Sequence, residues 1–67
     1  MIEIRVNGKV VRLENGTHLR ALVSERTERV DGVAVARNEE LVPRSEWADT
    51  VVGDGDRIEI LVAAQGG

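Results

Sequence analysis

The sequence runs out through Ala64, Gln65, Gly66 and Gly67, and the chemistry of that strip can be named directly. Glycine has no Cβ, so a chain ending in two of them can enter a channel that any side chain would block. Four extended residues reach roughly 14 Å beyond a folded body. A carboxylate at Gly67, with a reference pKa of about 3.5, is ionised at neutral pH. In that form it resists nucleophiles. Joined to AMP as a mixed anhydride, its carbonyl becomes open to attack by sulfur or an amine. A frayed end is the bland alternative. The chemical reading is a tail that is substrate for reactions carried out on another protein.

The remaining candidates are weaker. Asp54 and Asp56 in "GDGD" place two carboxylates close together, but a calcium loop continues well past two and ends in a bidentate acid. This run leads straight into a strand, so it reads as a turn. His18 has no visible partner that would make it a general base, and is expected on the surface. A lone histidine without cysteine cannot make a zinc site. No serine sits in a nucleophile elbow and no glycine-rich phosphate loop is present. Trp47 reads as a core plug. No catalytic residue and no metal site is therefore expected in the chain itself.

These residues need a body to carry them. Sixty-seven residues make a single small domain, and without disulfide or metal its stability must come from apolar packing. Eleven valines, one Trp and no Phe or Tyr favour strands. Nine basic and twelve acidic residues give a net charge of −3. They are spread along the chain with no basic block, which argues against a nucleic-acid partner. There is no signal-like segment and no apolar run of membrane-spanning length. A soluble, cytoplasmic protein with no membrane partner is the expectation.

"MIEIRVNGKVVRL" alternates Ile2, Ile4 and Val6 with Glu3 and Arg5, the period of a half-buried strand. Asn7-Gly8 supplies a hairpin turn, and Lys9 to Leu13 returns with Val11 and Leu13 on one face. Thr17 is the expected N-cap of a helix carrying Leu19, Leu22 and Val23 and ending within "SERTER". After a turn at Asp31-Gly32, "VAVAR" is expected as a strand, buried on both faces if its small alanines pack under something. "NEE" turns the chain, and "LV" before Pro43 makes a short edge strand. "RSEWADTVV" reads as a brief helical turn anchored by Trp47. "RIEILVA" closes the order, with Ile58, Ile60 and Val62 facing in and Arg57, Glu59, Leu61 and Ala63 facing out.

One helix crossing a mixed sheet of four to five strands is an α+β roll. With the last strand beside the first, it is the β-grasp arrangement. The predicted division is a β-grasp domain over 1–63 and a flexible C-terminal tail over 64–67. Leu61 and Ala63, exposed beside the tail, are candidates for docking a partner, against the plainer reading that a single exposed leucine needs no explanation.

The segments "VNG" (6–8), "VAVARN" (33–38), "LVPRSEW" (41–47), "GDGDRIEI" (53–60) and "QGG" (65–67) occur in an order that resembles the sulfur-carrier family of thiamine biosynthesis. The helical stretch "LRALVSERTERV" departs from the longer apolar helix usual in that family. The resemblance implies that a ubiquitin-activating-type enzyme uses ATP and magnesium to adenylate the Gly67 carboxylate. A sulfur donor, such as a cysteine desulfurase relay, then converts it to a thiocarboxylate. Thiazole synthase takes the sulfur for the thiazole ring. Gly66 lets Gly67 reach the partner's site, and Ala64 and Gln65 line the entry. The chain binds no cofactor of its own. A molybdopterin synthase small subunit, a carrier for another sulfur acceptor such as cysteine synthesis, and a ubiquitin-like protein modifier share this tail chemistry. An RNA-binding β-grasp module would want a basic face and stacking aromatics, which the sequence lacks.

Overall fold

The computed structural model describes residues 1–28 and 31–63. Strands β1 (Ile2–Val6) and β2 (Lys9–Leu13) form a hairpin, followed by helix α1 (Leu19–Arg26). Strands β3 (Val33–Arg37) and β4 (Glu40–Val42), a 3-10 helix over Arg44–Asp49 and strand β5 (Arg57–Val62) complete the order. The sheet runs β2-β1-β5-β3-β4. Its central pair, β1 and β5, is parallel, and the other neighbours are antiparallel. This is the predicted roll, with the last strand beside the first and β4 at the edge.

The hairpin turn at Asn7-Gly8 has φ of 50° and 85°. Both values lie where asparagine and glycine are least strained, which is why this dipeptide sets the β1–β2 register. Ile4, Val6, Val35, Ile58 and Ile60 bury one sheet face against Leu19, Leu22 and Val23 of α1. Trp47 closes the core, and its indole N–H donates to the Val42 carbonyl at 2.9 Å, so the ring is buried without an orphan donor.

Four expectations need correction. Thr17 does not cap α1, because its hydroxyl donates to the Glu14 carbonyl at 2.7 Å within the preceding turn. His18 is the cap instead, its Nδ1 accepting from the Ala21 amide at 3.4 Å. His18 also bridges Val51 and is half-buried rather than a plain surface residue. Strand β3 is not buried on both faces: Val35 is in the core, while Ala34 is exposed because no described residue covers the outer face there. Val62 follows Ile58 and Ile60 on the inner side but is 57% exposed. It lies at the rim of a depression with Val6, Lys9, Arg26 and Ile60, where the helix has already ended.

Candidate functional site

The predicted docking residues lie at the end of β5. Leu61, paired with Ala34, is on the sheet face away from the helix and is 65% exposed. Ala63 is also exposed, and its amide donates to the Gly32 carbonyl at 2.7 Å, which holds the chain to the start of β3. Leu61 and Ala63 thus both lie exposed, at and just past the end of β5. Ala64, Gln65, Gly66 and Gly67 lie outside the described residues.

Beside Leu61 the outer face sinks into a shallow depression of about 470 Å³, bordered by Arg5, Gly8, Arg57 and Glu59. Arg5 and Arg57 are register neighbours on β1 and β5. Arg57 reaches Glu39 at 3.4 Å, an exposed pair of little energetic weight. The surface next to the tail is therefore an apolar side chain set beside two guanidiniums.

Two asparagines, absent from the sequence-derived candidates, fix β5 in place. Asn7 donates from Nδ2 to the Ile60 carbonyl at 3.1 Å and accepts at Oδ1 from the Ile60 amide at 2.8 Å. Asn38, at φ 50°, accepts at Oδ1 from the Arg57 amide at 2.9 Å. Its Nδ2 donates to Asp56 Oδ1 at 3.0 Å. An asparagine in a two-residue hairpin turn is a signal for a left-handed backbone. What its amide then binds, some fifty or twenty residues away, is not visible in local pattern.

Asp56 is the buried member of "GDGD". Its carboxylate accepts from the Gly53 amide at 2.7 Å and from Arg37 Nε at 2.8 Å, in addition to Asn38. Burial alone pushes its pKa up. The hydrogen bonds from Gly53, Asn38 and Arg37, with the Arg37 charge, outweigh that and leave the pKa below its ordinary value. Asp54 Oδ1 accepts from the Glu3 amide at 2.8 Å. Both acids are engaged in holding the turn to the sheet, as a structural reading of "GDGD" requires. No cluster of three or more potential metal ligands occurs among the described residues. No helix among the described residues is long and apolar enough to cross a membrane.

Known proteins similar to this chain converge on one assignment. A family model described as the ThiS family matches residues 4–67. The sulfur carrier protein ThiS of Escherichia coli is 32% identical over 66 residues, which cover 98% of this chain and 100% of that protein. A thiazole synthase of Paramagnetospirillum magneticum is 35% identical over 66 residues, again 98% of this chain but only 20% of that enzyme. Among solved structures, the crystal structure of the thiamine biosynthesis protein ThiS from Geobacter metallireducens aligns with a TM-score of 0.82 at 29% identity, covering 98% of this chain and 100% of that one. A solution structure of a thiamine biosynthesis protein from the same organism gives 0.80 at 30% identity, with coverage of 98% and 88%.

Proposed function

The chain belongs to the ThiS family, and from that premise we propose that it carries sulfur, on Gly67, to the thiazole ring of thiamine. The observation that carries this reading is a match that runs through residue 67 and spans the whole of a sulfur carrier protein. The similarity to a segment of a thiazole synthase supports that enzyme as the place where the sulfur is delivered.

The chemistry needs no active site on the carrier. An oxygen of the Gly67 carboxylate attacks the α-phosphorus of ATP on a ubiquitin-activating-type enzyme, with magnesium, and pyrophosphate leaves. The terminal sulfur of a donor persulfide, supplied by a cysteine desulfurase relay, attacks the acyl carbonyl and AMP leaves. A thiol reduces the resulting acyl disulfide, releasing a thiocarboxylate on Gly67 and a disulfide on the donor side. Thiazole synthase then takes the sulfur. Gly66 presents no Cβ to the channel, Ala64 and Gln65 occupy its entry, and Leu61 and Ala63 dock on the partner. All of this is assigned to the cytoplasm.

Appending one alanine after Gly67 tests the reading. The extended chain is expected to fold as before and to release no pyrophosphate from ATP with the adenylating enzyme. Adenylation at an undiminished rate would overturn it. In the unextended chain, the exchange of oxygen for sulfur is expected to map by mass to the C-terminal peptide alone.

A further inference from the structure

Strand β5 is held unequally along its two sides. On one side β3 accompanies it to the end, from Arg37↔Ile58 to Val33↔Val62, and the Ala63 amide adds a bond to Gly32. On the other side β1 offers only the pairs Arg5↔Arg57 and Val6↔Ile58 before it turns away. The Asn7 amide donates to the Ile58 carbonyl at 2.9 Å, and there the backbone ladder stops. The side chain of Asn7 then continues it, donating to the Ile60 carbonyl and accepting from the Ile60 amide. One carboxamide, with its donor and acceptor side by side, thus replaces the peptide unit that a longer β1 would supply.

The position of this replacement matters because Ile60 immediately precedes Leu61 and the segment that leads to Gly67. Resting on the reading of Gly67 as the acyl site, we infer that Asn7 is a positioning residue of the carrier. Its grip on Ile60 fixes the line along which β5 delivers the chain toward a partner's active site. Released from Asn7, the end of β5 keeps strand pairing on the β3 side alone, with the Ile60 side chain still in the core, and the segment from Leu61 on can swing about that edge. Such a swing changes where the chain leaves the sheet, and a misplacement of about 1 Å can cost up to about a hundredfold in rate.

Asn7→Gly removes the clamp while keeping a residue that adopts φ near 50° without strain. Asn38→Gly is the matched control: it too removes an amide from a left-handed turn position and two hydrogen bonds, but at the opposite end of β5. Two readouts are needed, amide hydrogen exchange at Ile60 relative to Ile4, and the rate of pyrophosphate release at saturating carrier with the adenylating enzyme and ATP. Asn7→Gly is expected to exchange at Ile60 at least tenfold faster and to be adenylated about tenfold more slowly. Asn38→Gly is expected to match the wild type in adenylation. Asn7→Asp retains an acceptor for the Ile60 amide but cannot donate to the Ile60 carbonyl, so its rate is expected to fall too.

Adenylation of Asn7→Gly at the wild-type rate, with Ile60 exchanging freely, would overturn the proposal. Equal slowing in Asn7→Gly and Asn38→Gly would also overturn it, since the effect would then follow stability alone. Should Asn7→Gly fail to fold, Asn7→Asp decides, and a wild-type rate there counts against the clamp. Failure of the underlying reading shows separately, as adenylation of the chain extended past Gly67.

Discussion

The two hairpin turns of this sheet, Asn7-Gly8 and Asn38-Glu39, have the same backbone shape. Both place two consecutive residues at positive φ, at 50° and 85° in the first and 50° and 74° in the second. In both, the leading asparagine sends its side chain to β5, the strand between the two hairpins. They differ in what stands behind the contact. Asn38 binds the start of β5 together with the charged pair Arg37–Asp56, whose side chains are 2.8 Å apart. Asn7 binds Ile60 through a neutral amide alone. One end of the strand is therefore locked by ionic, partly buried bonds. At the other, nearer the tail, the side-chain contribution is two ordinary hydrogen bonds worth about 1 kcal/mol each, beside the backbone pairing to β3. Through side chains, β5 is thus tied more strongly at its start than at the end from which the chain leaves the sheet.

The largest effect is expected from removing the ionic lock. Asp56→Ala leaves donors of Gly53, Arg37 and Asn38 without their acceptor, at a cost of about 3 kcal/mol, readable as a lowered urea midpoint. The same lock carries a pH dependence. The folded pKa of Asp56 lies below the ordinary aspartate value, so the unfolded chain binds more protons between those two values. Stability from Asp56 is then complete above pH 4 or so and is lost as pH falls through the folded pKa. Unfolding curves between about pH 5 and pH 2 are expected to show a shallower acid loss in Asp56→Asn than in the wild type.

Asn38→Gly and Asn7→Gly come next, each costing about 1–2 kcal/mol of stability, with the functional consequence confined to Asn7. If both turned out energetically silent, the contrast between the two ends of β5 would dissolve. The turns themselves sharpen it in opposite directions. Gly8→Ala puts a Cβ into open space, since nothing lies within 4 Å, so its cost is conformational alone, about 1 kcal/mol. Glu39→Gly relieves the φ of 74° and forfeits only the exposed contact to Arg57, so a gain of about 0.5–1 kcal/mol is expected by the same denaturation measurement. The smallest change in stability, within about 0.5 kcal/mol, is expected for Leu61→Asp. That variant is expected to weaken association with the adenylating enzyme, and unchanged affinity in a titration would remove Leu61 from the docking surface.

Local pattern was sufficient for much of this molecule. The alternation in "IEIRV" and "RIEI", the Asn7-Gly8 turn and the Pro43 stop follow from rules acting over a few residues. They placed the strands, the hairpin and the edge. The outward Leu61 and Ala63 were legible for the same reason, since exposure follows from strand period. Burial at the ends of elements was not legible. Val62 and Ala34 depend on where a helix stops and on what covers a sheet face, and Thr17 lost the cap to His18 through a competing bond to Glu14.

Sequence by itself determined the β-grasp order of elements and the residue types of the tail, because periodicity and residue type are local properties. Only the tertiary structure decided that Asn7, Asn38 and Asp56 secure the strand that leads to that tail. Their partners are set by the pairing of β5 between β1 and β3. A hydrogen bond between residues 7 and 60 exists only once distant segments have been brought side by side.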